Sequence, residues 1–207
     1  MIDNKPNNSL SLPMMEAFYT IQGEGANAGK PAYFIRLAGC DVGCVWCDVK
    51  DSWDVSRHPL VSIGEMVKNA NSYPSKNIVI TGGEPLQHNL NALCEALHQT
   101  GFTIWLETSA AYPLTGKFDW ICVSPKKFKS PLNQIVNIAD ELKVVVFNKS
   151  DLKWAEEMAL DVHDSCKLYL QPEWDNKEKV LPMIIDYVKQ NPKWNISIQT
   201  HKYINVP

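Results

Sequence analysis

Short apolar runs alternate with amphipathic stretches along most of the chain. Seven runs rich in Ile, Val, Tyr, Trp and Phe predict β-strands. They span residues 32–39, 77–82, 102–108, 120–125, 142–147, 167–172 and 196–200. Between several of them apolar residues recur at helical spacing. Two such faces are formed by Leu86, Leu90, Leu93 and Leu97 and by Leu181, Ile184, Ile185 and Val188, and residues 151–160 are a further helix candidate. This alternation of strands and helices predicts parallel βα units.

The length of the chain limits how many such units it contains. A closed eight-unit barrel typically needs ~250 residues, so about six units fit into 207. We therefore expect an α/β fold built as a partial, open TIM-like (βα)6 barrel. A flavodoxin-like doubly wound sheet is the alternative, and in both folds ligands bind at the carboxyl ends of the strands. We expect residues 1–13 to be a flexible N-terminal tail and residues 14–207 to be a single domain.

Composition and charge exclude several classes of function. The net charge is −3 and no block of Lys and Arg occurs, so we expect neither a nucleic-acid partner nor a membrane surface as partner. No apolar run approaches the ~20 residues that span a bilayer. Six cysteines are too few for a disulfide scaffold, and we expect a cytoplasmic protein. Three of them, Cys94, Cys122 and Cys166, lie among apolar residues and are expected to fill the core.

The other three cysteines are clustered directly after the first predicted strand. Cys40, Cys44 and Cys47 are spaced C-x3-C-x2-C, and Gly39 and Gly43 free the backbone so that all three sulfurs face one point. A structural zinc site takes four Cys or His ligands, and electron-transfer iron–sulfur clusters also take four. Three thiolates leave one iron of a cubane open for substrate or cofactor. A zinc site with a distant fourth ligand is the alternative.

This spacing resembles the signature of the radical S-adenosylmethionine (SAM) superfamily. There a [4Fe-4S] cluster binds the amino and carboxylate groups of SAM at its open iron, and reduction cleaves SAM to a 5′-deoxyadenosyl radical. The residue before the third cysteine is usually aromatic in that superfamily, as Trp46 is here. The stretch TGGEP at residues 81–85 resembles the superfamily's GGE motif, which contacts the SAM amino group. Two such motifs in the expected order favour radical chemistry over zinc binding.

Three longer segments resemble one family within that superfamily. They are FYTIQGEGANAGKPAYFIRLAGC (18–40), SPK (124–126) and QTHKYINVP (199–207). The resemblance is to the 7-carboxy-7-deazaguanine synthase family and runs from about Glu16 to Pro207. It implies a homodimer that rearranges 6-carboxy-5,6,7,8-tetrahydropterin by hydrogen abstraction at C6, ring contraction and loss of ammonia. It also implies Mg2+ as a cofactor and flavodoxin or ferredoxin as reductant.

The resemblance also implies which residues bind each ligand. For SAM they are Trp46, Cys47, Asp48, Gly83, Glu107, Ser124, Pro125, Lys126, Gln171, Pro172 and Glu173. For the pterin they are Ile21, Gln22, Gly23, Glu24, Arg36, Thr81, His201 and the terminal carboxylate of Pro207. Residue chemistry agrees, because Gln22 and Glu24 offer acceptors and a donor to the pterin edge. Arg36 offers a fork that suits a carboxylate.

One position departs from the family pattern. Family members often carry a hydroxyl residue directly after the Cys-Asp pair, where it binds Mg2+, and here that residue is Val49. Since Mg2+ prefers oxygen ligands, we expect the Val49 backbone carbonyl to bind it together with water, the substrate carboxylate and Asp51. A weak dependence on Mg2+ is the alternative. No general acid or base is assigned. An activase that places a glycyl radical on a partner protein is the nearest alternative enzyme, and a zinc-binding interaction module is the alternative outside enzymes.

Overall fold

The structure is a computed structural model that describes residues 10–207. Nine strands form one sheet: β1 (Ser11–Ile21), β2 (Pro31–Leu37), β3 (Leu60–Ser62), β4 (Asn77–Gly82), β5 (Thr103–Thr108), β6 (Trp120–Val123), β7 (Glu141–Val146), β8 (Lys167–Pro172) and β9 (Trp194–Ile196). Six helices accompany them: α1 (Ile63–Ala70), α2 (Asn91–Gln99), α3 (Asn133–Val136), α4 (Ser150–Ala159), α5 (Lys177–Gln190) and α6 (Thr200–Ile204).

The order of the strands distinguishes between the two predicted architectures. It runs β3-β1-β2-β4-β5-β6-β7-β8-β9, and every pair from β2 to β9 is parallel. Each parallel strand therefore lies next to the one that follows it, as in a barrel, whereas a doubly wound sheet reverses its order at a switch point. Strands β3 and β9 pair on one side only, so the barrel is open. The prediction of a partial, open barrel is confirmed.

Alternation along the strands gives the sheet two different faces. On the outer face Ile35, Ile80, Leu106 and Val144 are fully buried in the main core, where the helices cover them. Their neighbours in sequence point to the opposite, inner face, because side chains alternate along a strand. A small cluster around Ala32, Val79 and Trp105 packs on that inner face. At the carboxyl ends of the strands the inner face carries polar side chains: Arg36, Thr81, Glu107, Cys122, Lys143 and Gln171.

Two of the predicted helices differ from their expected form. The apolar face that begins at Leu86 is interrupted, since Pro85–Gln87 is a short 3-10 turn and α2 begins only at Asn91. Leu86 is buried all the same. In α5, Ile184 is fully buried but Ile185 is 39% exposed, so the buried stripe is narrower than predicted. The helix predicted at 151–160 is α4, shifted by one residue.

The amino-terminal part of the chain departs most from prediction. Strands β1 and β3 were not expected, and β1 pairs antiparallel with both β2 and β3. Because β1 begins at Ser11 and Leu12 packs in the core, the sheet includes residues 11–13 of the predicted tail. The rest of that predicted tail, up to residue 9, lies outside the described residues. Across residues 10–207 no helix combines the length and apolar character needed to span a bilayer.

Candidate active site

A cavity of about 310 Å3 lies at the carboxyl ends of the parallel strands. All the predicted site residues line it except Pro125, which is buried behind the cavity wall. The cavity therefore brings together motifs that are up to 186 positions apart, from Ile21 to Pro207. The sequence analysis missed several further lining residues: Phe18, Phe34, Val42, Trp53, Lys143, Val145, Trp174, Asp175 and Gln199.

The cysteine loop is held by backbone contacts with the turns that follow it. The Gly39 N–H donates to the Ser52 carbonyl at 2.6 Å, and the Cys40 N–H donates to the Trp53 carbonyl at 3.3 Å. Gly39 has a φ of +108°, a backbone conformation that L side chains rarely adopt, so glycine is required there. Cys40, Cys44 and Cys47 are all free and all line the cavity. The loop thus presents three unpaired sulfurs to one space.

The three cysteines influence one another. Burial raises the pKa of the Cys44 thiol to about 11, Lys126 opposes this shift, and the neighbouring Cys47 and Cys40 add to it, so the three groups lie close enough to interact. Within residues 10–207 no group of three or more His, Cys, Asp and Glu side chains has the arrangement of ligands for a metal ion. Iron binding would displace the thiol protons.

Asp41 belongs to the cysteine loop, and its side chain anchors the loop to other parts of the chain. Its carboxylate accepts from Lys129 Nζ at 2.8 and 2.9 Å, from the Tyr112 hydroxyl at 2.5 Å and from Gln87 Nε2 at 3.0 Å. These contacts join the loop to the segments that follow β4, β5 and β6. A polar residue between two cysteine ligands is a signal in the sequence for such an anchor. Its partners could not be identified from the sequence, because they lie 46 to 88 residues away.

The TGGEP stretch packs directly on the cysteine loop. The Gly83 N–H donates to the Leu37 carbonyl at 3.0 Å, and the Glu84 N–H donates to the Gly39 carbonyl at 2.8 Å. A Cβ atom at Gly83 would lie 2.4 Å from the Gly39 carbonyl oxygen and 2.6 Å from the Cys40 Cβ. Glycine therefore allows β4 to end against the loop that carries the sulfurs.

Glu84 has a structural task in this motif. Its buried carboxylate accepts from the Thr108 hydroxyl at 2.6 Å, from the Ser109 N–H at 2.8 Å and from the Leu86 N–H at 3.0 Å. It joins the end of β4 to the end of β5. The buried charge is compensated by these donors, and their geometry fixes the position of the adjacent cavity wall.

Four side chains form a closed ring across the inner face. Lys143 donates to Glu24 Oε2 at 2.7 Å and to Glu107 Oε2 at 2.9 Å. Gln22 Nε2 donates to Glu107 Oε1 at 3.2 Å, and Gln22 Oε1 accepts from the Glu24 N–H at 3.2 Å. Gln199 Nε2 donates to Glu24 Oε1 at 2.8 Å. The ring joins predicted pterin residues to a predicted SAM residue.

The charges in this ring are set by burial and by Lys143. Burial is the largest single influence and opposes ionisation of Glu24, but the charge of Lys143 and the hydrogen bonds of Lys143 and Gln199 together outweigh it. The pKa of Glu24 falls to about 2 as a result. Lys143 itself is 3% exposed, and although burial opposes its charge, the acids around it raise its pKa well above the usual value. Both groups are charged at neutral pH.

Lys143 was the principal omission of the sequence analysis, although a signal for it exists. In the run ELKVVV, Leu142, Val144 and Val146 share the buried outer face, so Glu141 and Lys143 must point to the inner face. A charged residue at an inward position of a buried strand has to meet an opposite charge. The period-two pattern of β7 could therefore have placed Lys143 in the site.

The remaining predicted pterin residues surround this ring. Arg36 Nε donates to Glu16 Oε1 at 2.7 Å, a contact that uses one edge of the guanidinium. The His201 ring packs against Gly23, where a Cβ would lie 2.1 Å from Nδ1, and burial lowers the pKa of His201. The Pro207 carbonyl accepts from the Thr20 hydroxyl at 3.1 Å.

The predicted SAM residues fall into two groups. Lys126 Nζ lies 5.6 Å from the centre of the Trp46 ring and donates to the Ser124 carbonyl at 2.7 Å, so the SPK turn reaches the cysteine loop. The side chains of Gln171 and Glu173 are engaged in the fold. Gln171 Oε1 accepts from the Ser197 hydroxyl at 2.7 Å, and the Glu173 carboxylate accepts from backbone N–H groups of the turn before α5.

The structure does not favour the predicted Mg2+ contact at Val49. The Val49 carbonyl accepts from the Ser52 hydroxyl at 2.6 Å and from the Ser52 N–H at 3.1 Å. A carbonyl oxygen has two lone pairs, and both are used. The adjacent residue Asp48 lines the cavity and has oxygens that could bind Mg2+, but it forms an ion pair with Lys202 at 3.0 Å. Val49 lines the cavity, but its carbonyl is already engaged by Ser52.

The three-cysteine loop and the TGGEP stretch that packs on it lie in one region of the chain that matches a known superfamily. The profile of the radical SAM superfamily matches residues 34–129, which include both motifs. The chain is a radical SAM enzyme, a class that uses a [4Fe-4S] cluster and SAM. Cys40, Cys44 and Cys47 are the residues that suit the cluster, because they are unpaired and face one cavity.

Comparison with known proteins narrows the class to a family. The chain is 53% identical to the 7-carboxy-7-deazaguanine synthase of Flavobacterium psychrophilum, over 95% of this chain and 93% of that protein. It is 46% identical to the enzyme of the same name from Synechocystis, over 96% and 95%. The crystal structure of QueE from Escherichia coli superposes with a TM-score of 0.82 at 30% identity, covering 91% of this chain and 94% of that one. The chain belongs to the 7-carboxy-7-deazaguanine synthase family.

Proposed function

We propose that the cavity binds 6-carboxy-5,6,7,8-tetrahydropterin beside SAM and converts it to 7-carboxy-7-deazaguanine, for queuosine or deazapurine biosynthesis. One observation carries this proposal. The cysteine loop and the QGEG segment, which suit a cofactor and a pterin respectively, open into the same cavity. The family is named for the product of this reaction.

A [4Fe-4S] cluster held by Cys40, Cys44 and Cys47 would, together with SAM, supply the radical chemistry, and the chain binds and orients the substrate. Glu24, ionised and fixed by Lys143 and Gln199, has acceptor capacity left for N–H groups of the pterin edge. Gln22 also has a positioning role besides its predicted contact with the pterin. Its side chain holds Glu24 and Glu107 together, so its amide orients the pterin acceptor.

Arg36 is the proposed partner of the substrate carboxylate. Its Nε is occupied by Glu16, and no hydrogen bond joins its terminal amino groups to a side chain among the described residues. A guanidinium offers two N–H donors on that edge with the spacing of a carboxylate. Thr81 faces the same cavity from the neighbouring strand, in register with Arg36. The two residues define the carboxylate end of the pterin site.

On the SAM side, Glu107 is the proposed acceptor for the ribose hydroxyls. Each of its oxygens already accepts one hydrogen bond, from Gln22 or Lys143, and keeps one further site. Trp46 offers an aromatic face beside the third cysteine, and Lys126 lies over that ring. We assign the main chain rather than the side chains of Gln171, Pro172 and Glu173 to SAM, because the Gln171 and Glu173 side chains bond within the fold.

Three further assignments rest on the family resemblance. We propose that the enzyme is a homodimer, and light scattering would measure its mass in solution. We propose flavodoxin or ferredoxin as the reductant. We place the enzyme in the cytoplasm, since its six free cysteines suit a reducing compartment. Mg2+ belongs to the same set, and in this chain we assign it to substrate oxygens, water and Asp48.

An anaerobic assay tests the proposed reaction. The reconstituted enzyme is given SAM, dithionite and 6-carboxytetrahydropterin, and the products are measured by mass spectrometry. We expect 7-carboxy-7-deazaguanine without proportional consumption of SAM. Cys47→Ala should abolish product and the broad cluster absorbance near ~400 nm. Cys94→Ala is the matched control, because Cys94 is buried in the core and away from the cavity. SAM cleavage without the deazaguanine product would refute the assignment of substrate and favour an activase.

A further inference from the structure

We propose that Lys143 is a positioning residue that couples the pterin and SAM sites, so that binding of either ligand strengthens binding of the other. The proposal rests on the proposed function, because it takes Glu24 as a pterin contact and Glu107 as a SAM contact. It concerns a residue that none of the sequence motifs contains.

The geometry makes Lys143 the shared partner of both acids. Its ammonium has three donors, and two are directed at Glu24 Oε2 (2.7 Å) and Glu107 Oε2 (2.9 Å). The two carboxylates come from different segments, 83 positions apart in the chain, and face different parts of one cavity. No other cation forms an ion pair with either acid among the described residues. A single buried charge is therefore shared by both carboxylates.

A second connection closes the ring and limits independent movement. Gln22 Nε2 donates to the Glu107 carboxylate and Gln22 Oε1 accepts from the Glu24 backbone N–H, so Glu107 is also linked to the main chain of Glu24. If a ligand fixes Glu107, it also fixes Lys143 and hence the Glu24 carboxylate. The second ligand then binds to a site that the first ligand has already ordered, so its binding costs less conformational entropy. This gives positive cooperativity.

A purely structural role for Lys143 makes a different prediction. In that case its loss would reduce the folded fraction and weaken both ligands independently. The coupling factor, which is the ratio of pterin dissociation constants without and with SAM, would stay unchanged. This ratio does not depend on the fraction of protein that is folded, because calorimetry reports inactive protein as lowered stoichiometry.

Anaerobic titration calorimetry without reductant measures this factor and avoids turnover. 6-Carboxytetrahydropterin is titrated into cluster-loaded enzyme with and without saturating SAM, and SAM is titrated with and without pterin. Allosteric coupling commonly amounts to about 5–150-fold. We expect SAM to tighten pterin binding at least about fivefold in the wild type, and pterin to tighten SAM by the same factor, as linkage requires.

The variants assign this coupling to the residue. Lys143→Met should bring the factor below about twofold, whereas Lys143→Arg, which keeps the charge, should retain part of it. Lys153→Met is the control, because Lys153 is 86% exposed on α4 and outside the cavity. If Lys143→Met does not fold, Glu107→Gln is used instead. This substitution weakens the ion pair between Lys143 and Glu107 and should also abolish the coupling factor.

Each outcome decides something. A wild-type factor of one overturns the proposal whatever the variants do, and so does a wild-type factor retained in Lys143→Met. Pterin binding with no coupling leaves the proposed function intact and removes only the role of Lys143. No pterin binding by the wild type, with SAM bound normally, refutes the proposed substrate and the coupling with it.

Discussion

Replacement of Gly83 by Ala tests whether close backbone contact between the TGGEP stretch and the cysteine loop is needed for activity. The new Cβ would lie 2.4 Å from the Gly39 carbonyl oxygen, where ordinary van der Waals contact begins at 3.4 Å. The loop or the strand end must therefore move by about 1 Å. Gly83 has no positive φ, so crowding rather than backbone strain is the whole perturbation. Reacting groups misplaced by about 1 Å typically cost about 100-fold in rate.

The assay is anaerobic turnover of the reconstituted enzyme, with iron content and thermal unfolding measured on the same preparation. Gly101→Ala is the control. Gly101 has a φ of +82° and open space around it, so Ala adds strain of about 1–2 kcal/mol there without touching the site. We expect Gly101→Ala to lose stability and keep its rate, and Gly83→Ala to lose rate about 100-fold. A Gly83→Ala rate within about twofold of wild type would refute the reasoning.

Three further predictions follow from single contacts. Because the pKa of Glu24 is lowered to about 2 from 4.5, its charge stabilises the fold above pH 4.5 and this stability is lost as the pH falls toward 2. The difference in unfolding free energy between wild type and Glu24→Gln should therefore shrink by about 2 kcal/mol between pH 6 and pH 3 in urea titrations, and parallel pH curves would contradict this. Val49→Thr adds a side-chain oxygen to the cavity wall and should increase the stimulation of turnover by Mg2+; an unchanged Mg2+ titration would count against it. Asp41→Ala removes the anchor of the cysteine loop and should speed iron loss to a chelator several-fold, with Asp164→Ala as an exposed control away from the cavity. Equal rates of iron loss would show that the anchor is dispensable.

Most of the parallel strands could be predicted because each carries a strong local signal. The exception is β9, which occupies Trp194–Ile196, whereas the run predicted as a strand at 196–200 leads into α6. Runs such as NIVITG and ELKVVV bury alternate residues under helices, so their apolar content is visible without knowing the partners. Strand β1 lacks this clarity, since most of its residues are only partly buried and it follows a polar segment. Strand β3 has three residues, and Leu60 is 70% exposed. Neither strand has a local pattern that separates it from a loop.

The site was predicted at the level of motifs and missed at the level of contacts. Cys40, Cys44 and Cys47 lie near one another in sequence, so their spacing alone indicated a shared ligand. The bond between Gln22 and Glu107 joins residues 85 positions apart, and no local pattern contains it. For Glu173 the motif predicts a SAM contact, but the carboxylate accepts hydrogen bonds within its own turn. Only the backbone geometry reveals this.

The open barrel also explains why the segment after β9 belongs to the site. Strands β3 and β9 do not pair with each other, so the sheet leaves one side of the cavity without a wall. The segment around α6 crosses that gap: Thr200 donates to the Gly23 carbonyl through its N–H at 2.9 Å and its hydroxyl at 3.0 Å, and Lys202 pairs with Asp48. His201 and Pro207 are therefore parts of the missing wall rather than of the sheet. Because this segment closes the side of the cavity that the sheet leaves open, we expect it to limit the access of solvent to the bound ligands.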